Sequence, residues 1–269
     1  YEKLKSGSLK KNEVCFTFDD GIKCQIDVAL PVLEDQKIKA FFFAYSSIFE
    51  GKPDNLEIFR HFRMNFFKDI NDFYKDFYLE LNTDLTKFFK INEEAIKLKL
   101  EKFPMYSLED IKFRFVRDFY LTREKYDDLM IKMINKKNID IKDLYSKLLF
   151  SKEDLRTLDK LGHLIGLHSH SHPTKLEKLD FNSQKKEYDQ SSEIISKILD
   201  KDKNEINCMS HPSGSYNKDT LKILKDMGIG IGFKQVMKIE PEKGMSKINN
   251  SNLEIAREDH INIIKNMEK

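Results

Sequence analysis

The sequence predicts an α/β fold: an incomplete or distorted (β/α) barrel with a large helical insertion after its second strand. Three observations carry this reading. Short apolar runs alternate with helical patterns, as parallel strands and their crossovers do. Polar clusters rich in Asp and His stand at the ends of those runs, where such folds place their chemistry. Between the second and third runs lies a long segment, residues 49–150, whose apolar positions step by three or four, the helical period.

The first strand candidate is Glu13 to Phe18, which runs into Asp19-Asp20-Gly21. A helix is expected from about Gln25 to Glu34, with Pro31 imposing a kink or a late start. The second strand, Ile38 to Tyr45, is nearly all apolar, as suits a strand buried on both faces. In the insertion, Phe59, Phe62, Phe66, Ile70, Phe73, Phe77 and Leu81 read as one face of an amphipathic helix, first of all a packing face. A sugar-stacking platform or a membrane face is the other use of such a stripe. Further helical patterns cover about 84–102, 107–120, 123–136 and 141–149.

Strand–helix alternation then resumes. Ser151 with Asp154 makes a capping-box pattern, and Gly162 ends the helix it opens. Strands are expected at His163–Leu167, Glu205–Met209, Ile229–Val236 and Leu253–Ala256, with helices near 181–199 and 218–227 and a short one at the end. Residues 1–48 and 151–269 would form the barrel and 49–150 the helical insertion. About six strands in so short a remainder fall below the ~250 residues of a complete eight-unit barrel. A doubly wound sheet is the alternative.

Composition excludes several classes. The 269 residues carry 47 Lys+Arg against 45 Asp+Glu, a formal charge of +2, so there is no basic surplus for nucleic acid. No run approaches the ~20 apolar residues of a transmembrane helix. The start at Tyr1 is unlike a signal peptide, which suggests a cytoplasmic protein, though it lacks an initiator Met and leaves a removed leader open. Cys15, Cys24 and Cys208 are at no metal-ligand spacing and read as ordinary thiols.

Asp19 and Asp20 are adjacent carboxylates at a strand end, and His168 and His172 stand four apart beyond another strand. One carboxylate with two imidazoles is a ligand set for a catalytic divalent metal that keeps positions open. The second carboxylate would then serve as general base. Taken singly, Asp-Asp-Gly is also an ordinary turn, and His-Ser-His-Ser-His also a solvated or nonspecific metal-binding tract.

These segments resemble a known family. Thr17-Phe18-Asp19-Asp20-Gly21 resembles the first signature of the polysaccharide deacetylases, which include nodulation-type chitooligosaccharide deacetylases, and Ala40-Phe41-Phe42-Phe43 resembles the strand that follows. Gly162 to Pro173 is similar to the second signature, a His-Ser/Thr-x-x-His-Pro after a Gly-His-x-Ile-Gly strand. Pro212 to Asn217 resembles the third, a Pro-x-Gly turn. The resemblance implies a metal-dependent hydrolase on a distorted barrel. Asp20, His168 and His172 would hold a divalent metal, zinc first, with cobalt, nickel or manganese as substitutes. Asp19 would be the base, and the Ser213 N–H would help stabilise the oxyanion. His170 falls in a variable position of the motif and is left out.

The sequence departs from the family pattern in two places. Ser210 stands where the third signature has Arg, and Ser213 where it has an aromatic. Arg257, at the end of the last strand, is the candidate cation for Asp19. No Leu-x-x-His signature is clear, and His260 is the candidate general acid, with His211 as another. The implied substrate is a glycan or small molecule with an N-acyl, first of all N-acetyl, amino sugar, as in cell-surface polysaccharide biosynthesis, with the insertion shaping its cleft. The alternatives are a formyl or non-sugar amide as substrate, or a carbohydrate-binding protein that has lost turnover.

Overall fold

The computed structural model describes residues 1–8, 10, 13–102, 106–234, 251–258 and 260–267, with the backbone alone at Leu4, Lys102, His260, Ile261, Lys265 and Asn266. Among the described residues five strands form one parallel sheet: β1 (Thr17–Phe18), β2 (Phe41–Ala44), β3 (Leu164–Leu167), β4 (Cys208–Ser210) and β5 (Ile231–Phe233). Their spatial order is their chain order, β1-β2-β3-β4-β5. A doubly wound sheet must reverse its order at a switch point. This one never does, so it is the curled half-barrel of an incomplete (β/α) fold. A parallel bridge from Phe233 to Ile255 extends it by one position, where the strand Leu253–Ala256 was expected. The expected strand at Ile229–Val236 runs beyond Lys234 into residues outside those described.

The all-apolar β2 is buried on both sides, and its alternate residues serve two cores. Ala40, Phe42 and Ala44 join Leu155, Leu158, Tyr188 and Ile195 on one side. Phe41 and Phe43 join Cys208, Ile231, Phe233 and Ile255 on the other. Gly166 in β3 makes room for this second cluster. A Cβ there would lie 2.5 Å from the Phe43 ring and 2.6 Å from the Cys208 carbonyl oxygen. At about 25 cal/mol per Å² of apolar area, each such buried aromatic supplies ~1.5–3 kcal/mol, so the sheet interior is a principal source of stability.

Local signals explain the surrounding helices. Pro31 sits in the first turn of the helix Leu30–Asp35, which follows a π-helical turn at Gln25–Ala29. The expected kink thus takes the form of a widened turn before the proline. Ser151 and Asp154 make a complete capping box at the start of Lys152–Lys160. Asp180 caps Phe181–Leu199 and Asn217 caps Lys218–Asp226.

The chain divides into two compact units, residues 1–54 with 146–269 and residues 55–145. Residues 49–54 and 146–150, which the sequence pattern puts in the insertion, therefore pack with the sheet. Phe49 and Phe150 belong to its core. The second unit is helical. Its Phe stripe runs along two helices, Leu56–Asn65 and Ile70–Leu81, where a single helix was expected. Asp69 starts the second helix by accepting from the Asn71 N–H at 2.7 Å. Phe59, Phe62, Phe73 and Phe77 are all buried, so the stripe is a core. Beneath it the buried Asp110 accepts from Tyr74 Oη at 2.7 Å, Arg114 Nε at 2.6 Å and Arg63 Nη1 at 3.2 Å.

Candidate active site

The carboxyl ends of β1, β3 and β4 bring the two polar clusters together. The turn after β1 puts Asp20 at φ 74° and Gly21 at φ 64°, two successive left-handed residues. A Cβ on Gly21 would also meet Ile48 Cδ1 at 3.1 Å and Ala44 Cβ at 3.2 Å. Asp-Asp-Gly is therefore a turn, and one that sends the two carboxylates different ways. Ser169 at φ 62° and His172 at φ 55° are left-handed as well. Backbone strain costs about 1–3 kcal/mol per residue and collects where function over-determines it.

Asp20 Oδ1 lies 3.1 Å from His168 Nε2 and 3.3 Å from His172 Nε2. One ligand atom from each of the three residues falls within 4.8 Å of the others. The far side of each ring is committed. His168 Nδ1 lies 2.8 Å from the Ser210 carbonyl, an acceptor only, so Nδ1 carries the proton. His172 Nδ1 lies 3.5 Å from Asp54 Oδ2. Both Nε2 atoms then turn lone pairs toward one carboxylate oxygen unless a proton or a cation lies between. Two neutral imidazoles and a carboxylate around a divalent cation satisfy every one of these atoms, so the donor set fits a metal. Burial pushes Asp20 up, but the two imidazoles outweigh it and hold its carboxyl far below the usual range. Burial pulls His172 down, while Asp20 and Asp54 outweigh it and raise the ring to about 9.

Asp19 points elsewhere. Arg257 grips it with a fork, Nη1 to Oδ1 at 2.8 Å and Nη2 to Oδ2 at 2.7 Å. Ser210 Oγ donates to Oδ2 at 3.0 Å. Arg257 Nε also donates to the Lys234 carbonyl at 2.8 Å, and Nη1 to Thr17 Oγ1 at 3.2 Å. The guanidinium thus ties the strand end after β5 to β1. Burial raises Asp19, but the neighbouring His168 and the Arg257 guanidinium overcome it and keep the carboxyl below its ordinary value.

A polysaccharide deacetylase family profile matches residues 6–61 and 119–232. The chain belongs to the polysaccharide deacetylase family. The chain is accordingly a hydrolase that acts on an amide C–N bond. Its fold is similar to that of the Streptococcus pyogenes deacetylase PplD solved in complex with acetate, at 16% identity over 96% of this chain and 69% of that chain, with a TM-score of 0.53. The de-N-acetylase from Aggregatibacter actinomycetemcomitans is similar at 14% identity over 98% of this chain and 79% of that one, with a TM-score of 0.51. At such identities the likeness is one of fold. No curated protein sequence matches the chain.

The remaining deacetylase site candidates are placed as follows. Ser213 is exposed, at φ 52° in the turn Pro212–Gly214 just after β4. His260 opens the last helix, and its side chain lies outside the described residues. His211 is buried, stacked on Tyr216 at 4.3 Å, and its Nε2 donates to the Leu253 carbonyl at 2.8 Å. Burial lowers its pKa to about 4. A ring so enclosed has no donor to offer a substrate, which removes it as an acid. His170, left out of the ligand set, turns away toward Ser46 Oγ at 2.9 Å.

Two carboxylates at the site escape sequence reasoning. Asp54 sits in Lys52-Pro53-Asp54, with no motif to flag it. Glu187 lies on the helix Phe181–Leu199 and accepts from the His170 N–H at 2.9 Å, the Ser171 N–H at 2.7 Å and Ser171 Oγ at 2.7 Å. A charged residue on a half-exposed helix face carries no such signal.

Proposed function

We propose that the chain removes an N-acyl group, first of all N-acetyl, from an amino sugar of a glycan, with a divalent metal held by Asp20, His168 and His172. The observation that carries this is the Asp20–His168–His172 cluster beside an Arg-held Asp19, at the carboxyl ends of a parallel sheet in a family of polysaccharide deacetylases. A zinc ion, or cobalt, nickel or manganese in its place, would supply Lewis-acid polarisation of the amide carbonyl and of water. Asp19 accepts the proton of the attacking water, and Arg257 keeps Asp19 ionised to do so. The Ser213 N–H, in the turn after β4, donates to the oxyanion that forms when the carbonyl is attacked. The C–N bond then breaks, the leaving amine takes one proton from an acid, and the proton on Asp19 is released to solvent. His260 is the proposed donor.

The test is release of acid from a panel of N-acetyl and N-formyl amino sugars and their oligomers. Activity should vanish on chelation, return with Zn²⁺, and be lost in His168→Ala with His172→Ala. Formate without acetate would move the substrate to a formyl amide. Tight glycan binding with no acid released by the metal-loaded protein would make it a binding protein.

A further inference from the structure

The loop between the two imidazoles holds an unfavourable backbone shape, left-handed at both Ser169 and His172. Something outside the loop must hold it there. Two of its carbonyls are met by the amides that follow β2: Ser46 N–H donates to the Ser169 carbonyl at 3.2 Å and Ser47 N–H to the His170 carbonyl at 2.9 Å. Of its donors, the His172 N–H goes to Ser169 Oγ at 3.2 Å. The amides of His170 and Ser171 converge on Glu187 Oε2, and the Ser171 hydroxyl goes to Glu187 Oε1. One carboxylate, on a helix of 19 residues, therefore takes three donors from the four-residue step that separates the rings.

We infer that Glu187 is a positioning residue for the metal: by clamping the His170–Ser171 peptide it sets the spacing and orientation of the His168 and His172 imidazoles. Its hydrogen bonds go to the loop and not to either ring, so it acts on affinity through the loop. This inference rests on the metal reading given above. Charge-assisted bonds from two backbone amides are strong and directional, and partners of this kind commonly govern metal affinity by 10–100-fold. The amide of a Gln could keep the contacts, its oxygen taking the two N–H groups and its NH₂ donating to Ser171 Oγ. An Asp would be one methylene short of them.

The experiment uses the full chain and Co²⁺, with affinity read by chelator competition and geometry by the visible absorption of bound Co²⁺. Glu187→Ala should bind Co²⁺ 10–100-fold more weakly with an altered spectrum, and Glu187→Gln should stay near the parent in both. If Glu187→Ala does not fold, Glu187→Asp carries the same expectation of weaker binding and altered absorption. Wild-type affinity and spectrum in the folded Ala or Asp variant would overturn the inference, even if its melting temperature fell. The metal reading fails separately: a parent chain whose Co²⁺ affinity is unmoved by His168→Ala with His172→Ala overturns that reading, and this inference with it.

Discussion

Replacing Asp19 with Asn separates proton transfer from metal holding. The carboxylate receives Arg257 at 2.8 Å and 2.7 Å and Ser210 Oγ at 3.0 Å. An Asn carbonyl placed where Oδ2 now sits keeps the Arg257 Nη2 and Ser210 bonds. Its NH₂ then faces Arg257 Nη1, which still has Thr17 Oγ1 at 3.2 Å. The structural loss is one hydrogen bond and the negative charge opposite the largely buried Arg257 guanidinium, about 3–5 kcal/mol. A domain with ~5–15 kcal/mol of stability survives that. The three proposed ligands keep their own contacts, since Asp20 meets the two rings through Oδ1 and the rings are held by Ser210 and Asp54. Loss of an acid–base group costs ~10²–10⁴-fold in rate. At 1.36 kcal/mol per decade that is about 2.7–5.4 kcal/mol of transition-state stabilisation. The assay pairs acetate release from N-acetylglucosamine oligomers with Co²⁺ affinity measured on the same samples. The expected result is a folded protein with parental metal affinity and a rate down by ~10²–10⁴-fold. Turnover near that of the parent would refute the base assignment, and a matching loss of Co²⁺ affinity would make Asp19 a ligand.

Arg257→Ala should slow the reaction most in acid. Removing the cation lets Asp19 protonate more easily, so the acidic limb of the pH–rate profile should move to higher pH, and an unmoved limb would show that Arg257 does not sustain the base. His211 should make the fold acid-sensitive: its pKa of about 4 lies below the ordinary 6.5, so the unfolded chain binds the proton more readily. The stability that it contributes is complete above about 6.5 and is lost as pH falls toward 4, on the order of 3 kcal/mol. Urea unfolding across that window should show the slope in the parent and a flatter one in His211→Gln, and equal slopes would refute the assignment.

What the sequence by itself determined is what depends on neighbours along the chain. The Ser151–Asp154 box, the Pro31 turn and the stop at Gly162 act within a few residues, and each appears where its chemistry puts it. The apolar run at Phe41–Ala44 announced burial on both faces, because no side of it tolerates water. The Phe stripe shows the limit of periodicity. A step of four from Phe66 to Ile70 keeps the helical rhythm across a real break, so only the cap at Asp69 marks the place. The tertiary structure alone decided which groups surround the ligand candidates. His168 is oriented by a backbone carbonyl of Ser210, and the His168–His172 loop by amides that end on Glu187. Every residue has such a carbonyl, and every residue but proline an amide, so their use leaves no mark in the sequence. Arg257 and Asp19 are 238 positions apart and become a bidentate pair only because the sheet curls until its last segment reaches its first strand.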